Sequence, residues 1–414
     1  MKQYLLMILF LSTIFGYSQS SNLSKPAKRT TLYKARLAIS DPKQEKNHML
    51  HIEKDLQKAD VLFERGDYTQ AFVLYTKYEK YLDEEQYNFL GWMYENGEGV
   101  SKNIDKAIFY CRKSAEKGNL TAIYNLGCIN QYDLKNYEKA IYWYEKAAEL
   151  GNFSSMTNLG VIYLQGLNGT IDNEKAFFWF KKAAEKGNFY SMANLGYMYI
   201  LGAGVPKNFD QAFYWSKKSA EGGNSYGMIN LGTLYEEGIG VLQDYGQALY
   251  WYRRSAEAGN GLGMNKLAIL YSEGKGTTKD HLQAFYWFKR SAESGDSDGM
   301  YNLANRYYKG EGVIRDYAQA FYWYKKSAEL GNSDGMYNLG VCYYKGKGTT
   351  KDYAQSFYWY KKSAEAGNSN AMNNLANRYY EGGTTKDLAL AKYWYQKACE
   401  AGNEKACDNL KKLY

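Results

Sequence analysis

Residues 333–345 read SDGMYNLGVCYYK, and residues 353–366 read YAQSFYWYKKSAEA. In the first stretch Met336, Leu339, Gly340 and Tyr343 recur at helical spacing, which predicts a helix with one apolar stripe. Gly346-Lys347-Gly348 follows, and glycine accepts the left-handed conformation in which the last carbonyls of a helix find donors, so the helix is predicted to end there. Asp352 is placed to cap a second helix, on whose inner face Ser356, Trp359, Tyr360, Ser363 and Ala364 fall. Gly367-Asn368 closes the pair. Gly340 lies where the second helix is expected to cross, and Ser363-Ala364 against the unit that follows. A larger side chain at either place would push the helices beyond the usual spacing of about 8–10 Å.

The same reading holds along the chain. Trp143, Trp179, Trp215, Trp251, Trp287, Trp323 and Trp359 are each 36 residues apart, and Trp394 follows after 35. Gly151, Gly187, Gly223, Gly259, Gly295, Gly331 and Gly367, each followed by Asn or Asp, keep the same step. Residues 296–331 and 332–367 agree at 26 of 36 positions, the mark of one duplicated structural unit. A helix pair alone cannot bury its apolar face, so such units stack on their neighbours. The composition fits helix-on-helix packing, with 44 Tyr and only 3 Pro.

The recurring pattern is apolar-x-x-Leu-Gly-x-x-Tyr, then Gly-x-Gly, then Ala-x-x-Trp-Tyr-x-Lys-Ser-Ala-Glu-x-Gly-Asn. It closely resembles the Sel-one-like repeat family, a relative of the tetratricopeptide repeats. The resemblance covers residues 86–403 as nine units, from Leu90-Gly91 to Leu375-Ala376. It implies an all-α fold, a right-handed α/α superhelical solenoid of helix-turn-helix repeats. One unit departs: near Thr121 the Gly-x-Gly loop is missing and Ile129-Asn130-Gln131-Tyr132 stands in its place, which predicts a shorter turn. Residues 43–85, with the turn Gly66-Asp67-Tyr68, are expected to form N-terminal tetratricopeptide-like capping helices, and residues 404–414 a C-terminal capping helix.

At the N-terminus, Met1-Lys2 precedes an uncharged apolar run from Leu5 to Ile14, then Gly16-Tyr17-Ser18. The run is about a dozen residues, short of the ~20 of a spanning helix. Residues 1–20 therefore read as a cleaved signal peptide and residues 21–42 as a flexible basic lead, which predicts a secreted or periplasmic protein with no membrane insertion after cleavage. The net charge of +8 is mild over 414 residues and points away from nucleic acid as a partner.

An exported chain can oxidise its cysteines. Cys399 and Cys407 flank the Gly402-Asn403 turn, where antiparallel helices come within the ~4.4–6.8 Å Cα separation of a disulfide. Cysteine-rich members of the resembled family use the same gap. Cys111 and Cys128 flank Gly118-Asn119 one helical turn further out and are a second candidate pair; Cys342 reads as a small core residue.

From the second unit on, the residue before the Leu of the first helix is Asn at Asn125, Asn158, Asn194, Asn230, Asn302, Asn338 and Asn374, with Lys266 as the exception. In the related tetratricopeptide fold this position lines the concave groove, where an amide can offer both donor and acceptor to an extended peptide. Arg306 and Arg378 are the variable neighbours expected to tune specificity. The alternative is architectural, each Asn bonding an adjacent helix.

Paired cations on the second helices (Lys181-Lys182, Lys217-Lys218, Arg253-Arg254, Lys325-Lys326, Lys361-Lys362) form a basic row, with Glu three or four residues on for a salt-bridged surface. Gly-x-Gly recurs in nearly every unit with no strand before it, so it is a turn rather than a phosphate loop. His48, His51 and Glu53 are too few for a metal centre. With only three His in the chain and no nucleophile–base pair among them, no catalytic residue and no cofactor are assigned.

The function expected is a non-enzymatic scaffold holding a protein or peptide in its groove. Two other classes remain open. Some cysteine-rich members of the resembled family bind or hydrolyse β-lactams, which would make this a cell-wall-acting hydrolase. Exposed Tyr and Trp would instead suit peptidoglycan or another envelope glycan.

Overall fold

The structure, a computed structural model, describes residues 42–382 and 386–413. The predicted signal peptide and basic lead lie outside the described residues, apart from Pro42. The described residues form 21 α-helices and divide into two compact units, up to Asn208 and from Phe209. The first unit holds α1 (Pro42–Arg65), α2 (Tyr68–Lys77), the pairs α3 (Glu84–Asn96) and α4 (Ile104–Glu116), α5 (Leu120–Cys128) and α6 (Tyr137–Glu149), α7 (Phe153–Gln165) and α8 (Asn173–Glu185), and then α9 (Phe189–Leu201). The second unit opens on α10 (Phe209–Glu221). The pairs α11 (Ser225–Glu237) and α12 (Tyr245–Glu257), α13 (Gly261–Glu273) and α14 (His281–Glu293), and α15 (Ser297–Lys309) and α16 (Tyr317–Glu329) follow. It continues with α17 (Ser333–Lys345) and α18 (Tyr353–Glu365), α19 (Ser369–Glu381) and α20 (Leu388–Glu400), and closes on α21 (Glu404–Lys411). The architecture is the all-α, tetratricopeptide-like solenoid that the repeats predict.

Each unit of sequence ends and restarts through one device. Gly331 takes φ +89°, so its N–H reaches Ala328 O at 3.0 Å and that of Asn332 reaches Ser327 O at 3.1 Å. The Asn332 side chain then accepts from Gly335 N at 2.8 Å and caps α17. Asp352 caps α18 by accepting from Gln355 N at 2.9 Å, as predicted.

Packing follows the small residues. A Cβ added to Gly340 would lie 2.8 Å from Tyr360 Cδ1, so the ring of the second helix rests directly on the backbone of the first. Ser327 Oγ donates to Ser297 O at 2.9 Å, tying α16 to the start of α15, while a Cβ on Gly335 of the next unit would strike the same serine. The core cluster of Ala304, Ala320, Tyr324, Ala328, Leu339 and Cys342 accordingly spans three successive helices. Cys342 is buried there, as expected of a small core residue.

The turn after α5 has a π-helical form over Ile129–Asp133, where Asn130 Nδ2 donates to Leu126 O at 2.7 Å. Lys135 then takes φ 52°, a positive value that glycine supplies after α3, α7, α9, α11, α13, α15 and α17. At the N-terminal end of the described residues, Gly66 (φ +85°) and the cap from Asp67 to Gln70 N separate α1 from α2.

Candidate functional site

The asparagine positions divide by environment. Asn125, Asn158, Asn194 and Asn230 are buried. Asn125 Nδ2 donates to Asn88 Oδ1 at 3.1 Å, and Asn194 Nδ2 turns back to Tyr190 O at 3.0 Å. Asn158 Nδ2 is buried with no acceptor among the described residues. In the second unit Asn302, Asn338 and Asn374 are only half-buried. Asn302 Nδ2 donates to Asn265 Oδ1 at 2.9 Å and Asn338 Nδ2 to Asp334 O at 3.1 Å.

One structural role was missed by reading registers alone. The partners Asn88 and Asn265 stand two residues before the Leu of their own helices, and Asn373 repeats the arrangement by accepting from Asn409 Nδ2 at 3.2 Å. These amide pairs link one first helix to the next, where a buried polar group is costly unless it is paired.

The arginines are held rather than free. Arg306 pairs with Glu311, donates to Ser272 Oγ at 3.1 Å and lies 5.2 Å from the Phe288 ring centroid. Arg378 pairs with Glu381 at 3.0 Å and lies 4.6 Å from the Tyr344 ring centroid. An acidic group on a partner would have to compete with Glu311 and Glu381.

Cys399 and Cys407 form a disulfide, with Cα atoms 4.8 Å apart, which anchors α21 to α20. Cys111 and Cys128 are free buried thiols, contrary to the second candidate pair. Cys111 faces back onto α3, where a Cβ on Gly91 would collide with its Sγ. Cys128 faces forward and accepts from the Tyr144 hydroxyl of α6 at 3.5 Å. Each sulfur thus follows the helix it packs against rather than the turn between them. Burial pushes the Cys128 thiol up to about 11 and Cys111 still higher, which suppresses the thiolate that oxidation requires.

Breaking Cys399–Cys407 by a Cys399→Ser substitution is expected to cost about 2–3 kcal/mol. In a nearest-neighbour stack the loss is confined to the end of the array. Hydrogen exchange should therefore show α21 losing protection while α11–α17 keep theirs; unchanged protection in α21 would mean the bond holds nothing in place.

No group of His, Cys, Asp or Glu suited to a metal ion occurs among the described residues, and no described helix is long and apolar enough to cross a membrane. A feature absent from the site reading lies on the solvent side of the second helices. The residue before each repeat tryptophan is an exposed Tyr or Phe, from Tyr142 and Phe178 in the first unit to Tyr214, Tyr250, Tyr286, Tyr322, Tyr358 and Tyr393 in the second.

Helix pairs of this length, small residues beneath each aromatic and the Gly-Asn junction define a Sel1-type α/α repeat. The Sel1 repeat model matches residues 87–119, 120–152, 154–188, 189–224, 225–260, 261–296, 297–332, 333–368 and 369–403, and the chain belongs to this family. Among solved structures it is similar to c5321, a protective antigen present in uropathogenic Escherichia coli strains that displays an SLR fold. The two are 31% identical over 91% of this chain and 90% of that one, with TM-score 0.55. It is also similar to a Sel1 repeat protein from Oxalobacter formigenes, at 28% identity over 74% of this chain and 91% of that one, with TM-score 0.54. No curated protein matches the chain.

Proposed function

We propose that this protein is an exported, non-enzymatic scaffold that binds a protein or peptide partner on the first-helix face of its second unit. The observation that carries the reading is the partial exposure there of Asn302, Asn338 and Asn374, with the paired Arg306 and Arg378 beside them. These side chains present amide and guanidinium donors beside Tyr301, Tyr337 and Tyr344, a composition suited to gripping a peptide with little loss of side-chain entropy. The tetratricopeptide-like fold supports protein interaction, and the Cys399–Cys407 bond supports an oxidising compartment.

The test uses the chain lacking residues 1–20 and a variant with Asn302→Ala, Asn338→Ala and Asn374→Ala, both offered to an envelope extract. The expected result is a partner captured by the first and lost by the second, with helicity unchanged. Equal capture by both proteins would move binding to another face. A variant that melts earlier yet captures equally well would make the asparagines purely architectural.

A further inference from the structure

We propose that the solvent side of the second helices in the second unit is a binding surface for a linear acidic glycan carrying one carboxylate per disaccharide. This surface is separate from the groove, and the proposal goes beyond the scaffold reading.

One aromatic position on the second helices points to solvent rather than into the packed core. This chain places an aromatic immediately before the repeat tryptophan in every full unit of the array. Even the diverged helix α4 has Phe109 at that place. In the second unit Tyr214, Tyr250, Tyr286, Tyr322, Tyr358 and Tyr393 are between 44% and 49% exposed, so each ring keeps a large part of its surface in water. Each stands edge-on to its neighbouring tryptophan with centroids 5.0–5.1 Å apart, which fixes the ring orientation and removes most of the ordering cost of binding.

A cation accompanies the ring. Four residues after the tyrosine stand Lys218, Arg254, Arg290, Lys326 and Lys362, 4.7–6.0 Å from the ring centroids. Arg254 and Arg290 also donate to the hydroxyls of Tyr250 and Tyr286, at 3.2 and 3.3 Å. Five successive repeats therefore offer the same doublet, an apolar ring with a positive group beside it. A sugar bearing a carboxylate matches it: the C–H face stacks on the ring, whose face is electron-rich, and the carboxylate reaches the cation.

Charge density selects the polymer. Each of α12, α14, α16 and α18 carries two Lys or Arg in its last turns but a single Glu, leaving one surplus cation per repeat. Adjacent helices pack about 8–10 Å apart, and an intervening first helix separates these, so the surplus charges are widely spaced. A nucleic-acid strand carries a phosphate about every 3.4 Å, far denser than this surface can neutralise. A polysaccharide with one uronic acid in every two sugars is the better match.

The test is calorimetric titration of the chain lacking residues 1–20 with hyaluronan, an alternating polymer of glucuronic acid and N-acetylglucosamine, at low salt. Dextran and an oligothymidine strand serve as the neutral and nucleic-acid comparators. The expected result is saturable binding to hyaluronan alone. The combined changes Tyr250→Ser, Tyr286→Ser, Tyr322→Ser and Tyr358→Ser are expected to weaken it at least about tenfold, since a multivalent surface loses affinity steeply with each contact removed. Arg254→Gln, Arg290→Gln, Lys326→Gln and Lys362→Gln together should weaken it similarly and flatten its salt dependence. The second set alters only exposed charged groups, so it carries the test if the serine variant is not helical. Absence of hyaluronan binding, equal binding of dextran, tighter binding of oligothymidine, or undiminished binding by both variants would each overturn the proposal. The Asn302, Asn338 and Asn374 variant is expected to bind hyaluronan normally, which separates this surface from the groove.

Discussion

Replacing Tyr252 by alanine is expected to cost about 3–5 kcal/mol, the range for emptying a fully buried aromatic site. Tyr252 is wholly buried, and its hydroxyl is held by Thr233 Oγ1 at 2.9 Å and Glu236 Oε2 at 2.7 Å. Its ring rests on Gly232, where an added Cβ would lie 2.7 Å from Cε1. Because both hydroxyl partners stand on the same helix as Gly232, the ring cannot slide away from a new methyl group. Gly232→Ala alone is therefore expected to cost about 1–3 kcal/mol by overpacking. The two changes share one volume, so the double variant should be less destabilised than the sum of the singles, because the methyl group enters space the ring has left. Chemical denaturation of the four proteins in that cycle measures the coupling. Strict additivity would show that ring and glycine do not touch in solution. Since stability in a repeat array is summed over neighbours, hydrogen exchange should place the loss first in α11–α13.

That contact was legible in the sequence, because a glycine at fixed register in an apolar stripe has few reasons to exist other than close approach. The same pairing recurs as Gly160 with Phe180 and Gly340 with Tyr360. Other features were not legible, for physical reasons. A register shows which way an asparagine points but not whether the preceding repeat supplies an acceptor. Asn302 finds Asn265, whereas Asn338 turns back to a backbone carbonyl of its own helix. Cys111 and Cys128 look symmetric about their turn, yet rotation of each helix onto its own partner separates the sulfurs. Reading the tyrosines as packing residues accounts for Tyr144, Tyr252 and Tyr324, which are buried. It passes over the exposed ring beside each tryptophan, because the repeat pattern leaves that position open.

Acidification from pH 7 to pH 5 is expected to strengthen the junction between α14 and α15, and Asp296→Asn is expected to abolish that gain. At the equivalent junctions the capping residue is Asn, and its amide donates to the preceding unit: Asn260 to Ser225 Oγ at 3.0 Å, and Asn332 to Asp298 Oδ1 at 2.6 Å. Asp296 cannot donate while ionised, and the preceding unit offers Gly261-Leu262 with no side-chain acceptor. It accepts instead from Gly299 N and from Ser291 Oγ at 3.2 Å. Burial, with Asp298 nearby as a like charge, raises its carboxyl from 3.8 to about 6. Asp298 is raised in turn by burial and by Asp334, while Lys266 opposes the shift. The folded state thus binds the Asp296 proton more tightly than the unfolded chain does. Its ionisation penalises folding fully above about pH 6 and is relieved as the pH falls towards 4. At about 1.4 kcal/mol per unit the penalty is at most about 3 kcal/mol at neutral pH. Asp296→Asn removes it but leaves an amide donor short of an acceptor, which returns about 1 kcal/mol or more. Adding Gly261→Ser supplies that acceptor. The added side chain needs the space of Ser294, where the preceding repeat has Ala258, so Ser294→Ala completes the change. The triple variant should melt higher than the native chain at pH 7 and equal it near pH 4. Measuring the difference between variant and native chain at each pH cancels other buried acids, including Glu95, which is raised to about 7. A difference that stays constant from pH 4 to 7 would show that Asp296 is ionised in the folded protein without cost.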